Sequence, residues 1–294
     1  VIAAGPAGEV PLVRTALGPV QVAIHGDPRA EPVLFFPGGH STALTPACRD
    51  LYVDLGYRVI SFSRPGYGRT AVGALTAARF VPAVTETWAA LGLPDPVAAV
   101  GLSFGGLQAV HLATAAPRLA PRLILHSAAP STLGFPDTAA ERLAAPVAFG
   151  PRTQRLTWAA VRRLVSTDRG LRMMMRPLST LPVRRWWAGW SAADRAAARA
   201  VFAHMASGSG FLLDVAQGTP AGAAERERLL RSVGCPTLVT ASRYDGGVAL
   251  RHAEDFRRTI AHARLVSTDA VSHFFWLGDS RGTVAAAVAD FLTG

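Results

Sequence analysis

The chain has 294 residues, half of them hydrophobic, with 30 basic and 20 acidic side chains and a net charge of +10; this suffices for a full apolar core and excludes a disordered chain. The basic side chains apart from histidine are all arginine, which together with the many alanines reads as compositional bias; without a dense basic block or a nucleic-acid motif, no nucleic-acid partner is expected. No window reaches the roughly 18 uninterrupted apolar residues of a membrane span, and Cys48 and Cys235 lie too far apart for a metal or redox motif, so both read as buried free thiols.

Val1 to Val10 lack the basic start and apolar stretch of an export signal, and a cytoplasmic location is expected. The chain opens on Val1 rather than methionine, so an earlier targeting segment in a longer chain stays open. Val10 to Thr15 and Pro19 to His25 read as two strands joined around Gly18, an antiparallel hairpin. The continuous apolar run Pro32 to Phe36 reads as a buried strand that ends in Pro37-Gly38-Gly39-His40, where paired glycines leave backbone N–H groups open to a ligand. Ala43 to Leu55 fits a helix and Tyr57 to Phe62 a strand, followed by the loop Ser63-Arg64-Pro65-Gly66-Tyr67-Gly68-Arg69. Thr76 to Leu91 is helical in pattern and is ended by Gly92 and Pro94.

Next comes the stretch on which the chain is organised. Val97 to Val100 reads as a buried strand, Leu107 to Ala113 as a helix, and between them lies Gly101-Leu102-Ser103-Phe104-Gly105-Gly106. A G-x-S-x-G turn between strand and helix mounts a serine on a sharp corner, with glycines leaving room for the two elements to approach. Ser103 would then stand at a helix N-terminus, where unpaired N–H groups can face a developing oxyanion. Leu123 to His126 is a further strand.

From Leu133 to Val233 no strand is evident, and the segment reads as a helical insertion. It holds Met173, Met174, Met175 and Met205 together with Trp158, Trp186, Trp187 and Trp190. At helical spacing these are first the insertion's own core, with a lid over an apolar substrate as the alternative. Arg162, Arg163, Arg184 and Arg185 read as solvated faces. The alternation then resumes: strand Pro236 to Ser242, helix Arg251 to Ala263, strand Arg264 to Ser267, and a terminal helix from Ser280 to Leu292. The fold class is therefore α/β, a mostly parallel, doubly wound sheet with a helical cap inserted after the strand that follows the serine helix. The expected division is 1–132 and 234–294 for the two parts of the core and 133–233 for the cap.

A serine hydroxyl becomes a useful nucleophile when an imidazole accepts its proton, and the imidazole needs a carboxylate to fix its tautomer. Asp245 and His273 each follow an expected strand, and in a parallel sheet those strand ends lie on the same edge as Ser103. Competing histidines fit less well: His111 lies within the serine helix, His204 in the insertion, His252 and His262 on a helix, and His25 at the end of an early strand. Asp269, only four residues before His273, reads as a turn cap.

On these motifs the chain resembles the α/β-hydrolase fold superfamily, close in pattern to its capped esterase, haloperoxidase and proline-iminopeptidase-like branches. The resemblance implies Ser103 as nucleophile, Asp245 as acid and His273 as base, with the backbone N–H groups of Gly39 and Phe104 as oxyanion hole. Arg64-Pro65-Gly66-Tyr67-Gly68 matches the family's R-P-G-x-G loop. Pro37 stands where the family usually has a histidine, Ser63 where an aspartate precedes R-P-G, and Ser272 where a glycine precedes the histidine. A serine rather than an aspartate at position 103 argues against dehalogenase and epoxide-hydrolase chemistry. The implied activity is hydrolysis of a carboxylic ester, or a related thioester, lactone or amide, of a small and partly apolar substrate, with no cofactor. An acyltransferase with the same triad and a non-catalytic ligand-binding protein on the same fold are the alternatives.

Overall fold

A computed structural model describes residues 10–294, so the reading of Val1 to Val10 falls, up to Glu9, outside the described residues. Among the described residues eight strands form one sheet: β1 (Leu12–Thr15), β2 (Gly18–His25), β3 (Pro32–Phe36), β4 (Arg58–Phe62), β5 (Ala98–Leu102), β6 (Leu123–His126), β7 (Thr237–Ser242) and β8 (Ala263–Thr268). Their order is β1-β2-β4-β3-β5-β6-β7-β8. β1 and β2 form the expected hairpin, β2 runs antiparallel to β4, and all later pairings are parallel. β3, β5, β6 and β7 are buried along their whole length, and β3 and β5 accordingly read as unbroken apolar runs rather than alternating ones. The chain leaves β3 toward β4 on one side and returns to β5 on the other. The carboxyl ends of β3 and β5 therefore flank the switch point where α/β sheets open a crevice.

Helices α1 (Arg49–Asp54), α2 (Ala77–Ala90) and α3 (Gly105–Ala115) belong to the first half of the core. The insertion carries α4 (Ala139–Phe149), α5 (Gln154–Val165), α6 (Asp168–Met175), α7 (Ala192–His204), α8 (Gly210–Gln217) and α9 (Ala223–Arg231). α10 (Leu250–Thr259) and α11 (Ser280–Thr293) complete the second half. One apolar layer joins the sheet to α2, α3, α9 and α10 through residues such as Phe80, Val110, Leu230 and Phe256. The other joins it to α1 and α11 and continues into α5, α6 and α7 through Leu51, Val288, Leu171 and Phe202.

Two helix boundaries differ from expectation for identifiable reasons. The helix expected from Ala43 begins only at Arg49, because the Thr45 hydroxyl takes the Thr42 N–H at 3.0 Å, the Ser63 hydroxyl takes the Ala43 N–H at 2.8 Å, and Cys48 is left-handed at φ 63°. Side chains that capture backbone N–H groups compete with the helix, and Pro46 cannot donate. α10 stops at Thr259, where the extended Ile260 turns the chain toward β8. Of the two cysteines Cys48 is buried, but Cys235 is only partly so.

Candidate active site

Ser103 sits between β5 and α3 at φ 51°, a left-handed conformation that a side-chain-bearing residue adopts only when its surroundings impose it. Here they do. The Ser103 N–H donates to the His126 carbonyl at 3.0 Å, and its own carbonyl accepts from Gly106 at 2.9 Å and Ala129 at 3.2 Å. A Cβ on Gly101 would lie 2.5 Å from Gly106 Cα, and one on Gly105 would lie 2.1 Å from the Phe36 carbonyl oxygen. Both glycines are thus required by backbone approach.

The loop after β3 presses on this turn: a Cβ at Gly38 would stand 3.0 Å from Ser103 Cβ, and one at Gly39 3.0 Å from the Phe104 ring. Arg64 holds the loop in place. Its Nε donates to the Pro37 carbonyl and its Nη2 to the Gly38 carbonyl, both at 3.0 Å, while its fork pairs with both carboxylate oxygens of Asp214 on α8. The Tyr67 hydroxyl adds a 2.6 Å bond to the same carboxylate. With the Pro37 and Gly38 carbonyls engaged by Arg64, the N–H groups of Gly39 and Phe104 have no acceptor among the described residues.

Asp245 and His273 follow β7 and β8. His273 Nδ1 lies 2.8 Å from Asp245 Oδ2 and 3.1 Å from Oδ1. The carboxylate is buried and also accepts from the Gly247 and Val248 N–H groups at 2.7 and 3.0 Å. Burial pushes the His273 pKa down, but the charge of Asp245 and its hydrogen bond outweigh burial and leave it above the usual histidine value. Nδ1 faces the carboxylate, so the neutral ring presents Nε2 as an acceptor.

Ser103, Gly39, Phe104 and His273 line one cavity of about 270 Å³, and Asp245 stands behind His273. The remaining wall is mostly apolar and comes largely from the insertion, including Phe149, Trp158, Met174, Met205 and Phe211. The methionines and tryptophans therefore divide between the two readings. Trp186, Trp187 and Trp190 pack on one another and Met175 is buried in the core, whereas Trp158, Met174 and Met205 face the cavity. Of the competing histidines none lines this cavity, but His40 does. Among the described residues no group of three or more His, Cys, Asp or Glu side chains is placed to hold a metal.

A model of the alpha/beta hydrolase fold family matches residues 31–279. The chain belongs to that family. It is 29% identical over 270 residues to YcgS of Bacillus subtilis (strain 168), described as an uncharacterised hydrolase, covering 90% of this chain and 92% of that one. In structure it is similar to an alpha/beta hydrolase fold protein from Nakamurella multipartita, with 26% identity, a TM-score of 0.72 and coverage of 97% and 99% of the two chains. It also resembles the enol-lactonase from Burkholderia xenovorans LB400 at 19% identity, a TM-score of 0.69 and coverage of 97% and 100%, a likeness of fold alone.

The positions at which this alpha/beta hydrolase departs from its family pattern are each occupied structurally. Pro37 offers its carbonyl to Arg64. The Ser63 hydroxyl donates to Gln21 Oε1 at 3.0 Å and accepts the Ala43 N–H, and the Ser272 hydroxyl accepts the Phe274 N–H at 3.3 Å. Sequence reasoning missed Asp214, and it missed a strap at Leu178–Thr180. The Leu178 carbonyl accepts both His273 N–H at 2.8 Å and Gly246 N–H at 3.2 Å, while Thr180 N–H reaches the Tyr244 carbonyl at 3.0 Å. Ser179 Oγ donates to the Val271 carbonyl at 2.5 Å. The strap ties the Asp245 loop to the His273 loop. Its one local signal is a Ser-Thr pair between Pro177 and Pro182, too short and too polar to continue a helix.

Proposed function

We propose that the protein is a serine hydrolase that cleaves a carboxylic ester of a small, partly apolar substrate through an acyl-enzyme on Ser103. The observation that carries this reading is the pair of N–H groups, Gly39 and Phe104, left without acceptors beside a strained serine. Backbone donors that line a cavity and have no protein partner are free to receive a developing oxyanion. In this reading Ser103 Oγ attacks the carbonyl carbon as His273 Nε2 takes its proton, with Asp245 stabilising the imidazolium. The oxyanion is received by Gly39 and Phe104. His273 returns the proton to the departing alkoxide, and a water deprotonated by the same nitrogen releases the acid. The apolar wall supports an apolar portion in the substrate. Neighbours of like fold include esterases from Thermogutta terrifontis and Rhodococcus sp. ECU1013, at identities that speak for the fold and leave the substrate to the site itself.

The test is labelling with a fluorophosphonate, followed by mass spectrometry of the modified peptide, with hydrolysis of p-nitrophenyl butanoate measured in parallel. Adduct on Ser103 in the wild type, its loss in His273→Ala, and loss of hydrolysis in Ser103→Ala are the expected results. A folded protein that neither labels nor hydrolyses overturns the reading in favour of a binding protein.

A further inference from the structure

We propose that His40 is a specificity-determining donor: its Nε2–H hydrogen-bonds a second, uncharged acceptor oxygen of the substrate, so that esters carrying an ether or keto oxygen are preferred over their all-carbon isosteres. This rests on the ester-hydrolase reading above and adds the substrate class. His40 follows Gly39 directly, and its ring stacks on Phe211 at 3.7 Å between centroids and lies 4.3 Å from the Phe149 ring. Its Nδ1 is 2.9 Å from Ser207 Oγ, and that oxygen also takes the Trp158 indole N–H at 2.8 Å.

The tautomer follows from these two bonds. Indole nitrogen only donates, so Ser207 accepts from Trp158 and still holds its own hydroxyl proton. Ser207 is fully buried, and its Oγ has no other partner among the described residues. A proton on His40 Nδ1 would leave that hydroxyl proton without an acceptor, a cost of a lost buried hydrogen bond. The arrangement that satisfies every group has Ser207 donating to Nδ1 and the ring proton on Nε2. Burial, and then the Arg64 charge, keep the ring neutral, with its pKa down at about 3.

Nε2 has no partner among the described residues, and it is not among the polar atoms sealed from solvent. Apart from the Ser103 hydroxyl, which the proposed reaction uses, the other side-chain donors of the wall are occupied or shut away. Ser41 donates to the Gly39 carbonyl, Trp158 to Ser207, and His273 to Asp245, while the Trp276 indole N–H has no exposed surface. Among the described residues no arginine, aspartate or glutamate lines the cavity. A substrate carboxylate there would be left without a counter-charge, so the acceptor is uncharged.

The test has two arms. In the first, kcat/KM is compared for p-nitrophenyl methoxyacetate against butanoate and for 3-methoxypropanoate against pentanoate, pairs that exchange one methylene for oxygen. Intrinsic reactivity cancels when the ratio is compared between proteins. The better-placed ether should lose about fivefold of its relative preference in His40→Asn. Asparagine suits the left-handed φ of 57° and matches the Nδ1 side of the ring only. His40→Gln, which carries an N–H near the Nε2 position, should recover part of the preference. In the second arm, ¹⁵N-histidine spectra of Ser103→Ala are recorded with each ester. Protonated Nε2 on His40, shifted by the ether ester and not by its isostere, is expected.

A proton on Nδ1, or unchanged ratios in His40→Asn while Ser103-dependent hydrolysis persists, overturns the proposal. Should the wild type hydrolyse no ester, the hydrolase reading falls, and the second arm alone decides whether His40 is the donor. That arm keeps His40 intact, so it also decides if the His40 variants fail to fold.

Discussion

At the scale of single residues, the balance on His273 makes a prediction with a definite sign. Burial lowers its pKa and Asp245 raises it further, leaving the net value above 6.5. Catalysis in the proposed mechanism needs the neutral ring, so kcat/KM should rise with pH through a midpoint above about 6.5. Asp245→Asn removes both raising causes and leaves burial. Its kcat/KM should fall by about 10³- to 10⁴-fold, and the acid limb of the remaining activity should move below about 6.5. A pH profile of both proteins from about pH 5 to about pH 9 checks both statements. A midpoint that stays in place would mean that Asp245 does not set the imidazole's affinity for protons. Gly105 is a second residue-scale case. Its missing Cβ would meet a backbone oxygen at 2.1 Å, which no side-chain rotation relieves. Gly105→Ala should therefore cost about 3 kcal/mol in urea unfolding, whereas the same change at Gly56, where nothing lies within 4 Å, would bear only the strain of φ 87°.

At the scale of elements, the site depends on contacts between the cap and the core. α8 reaches the loop after β3 through Asp214 and Arg64, both buried. Asp214→Asn leaves a buried guanidinium with two carbonyls and no counter-charge, and should destabilise the protein by about 3–5 kcal/mol. It should also lower kcat more than it raises KM, because the carbonyls that Arg64 holds belong to the loop bearing the Gly39 N–H. Chemical denaturation and steady-state kinetics read these separately. The pair joins positions 150 residues apart, and neither partner has a local pattern that announces the other; it was invisible in sequence for that reason. The Leu178–Thr180 strap was invisible because all its bonds but those of the Ser179 and Thr180 hydroxyls join backbone atoms. Ser103 was readable because it follows β5, a strand buried on both faces and apolar throughout, whereas Asp245 and His273 follow β7 and β8, short segments rich in β-branched residues that end in turns. α1 misled because Thr42, Thr45 and Ser63 act through specific hydrogen bonds that periodicity does not register. The cap's far boundary is blurred for a similar reason. α9 is helical like the rest of the insertion, yet Leu230 and Val233 are buried with the sheet.

For the whole molecule, the buried histidines set the response to acid. His126 is fully buried between the Tyr52 hydroxyl at 2.7 Å and Thr240 Oγ1 at 2.6 Å, and burial brings its pKa down to about 3. His111 is lowered to about 4, again mainly by burial. Between those values and about 6.5 the unfolded chain binds protons that the folded chain refuses, so stability falls as pH falls through this range, by about 1.4 kcal/mol per pH unit for each such group. His273 acts in the opposite sense. Its folded pKa is raised, so its contribution is fully present below about 6.5 and is lost as pH rises through the folded value. His111 and His126 thus withdraw stability on the acid side of about 6.5, and His273 withdraws its own as pH rises above that value. His126→Gln removes one titrating group while keeping an amide to face Tyr52. Urea unfolding at about pH 7 and about pH 5.5 should show a smaller loss for this variant than for the wild type, by about 1.4 kcal/mol per pH unit. Equal losses would mean that His126 takes up its proton as readily folded as unfolded, and that the Tyr52–His126–Thr240 chain beneath the site opens well before the molecule unfolds.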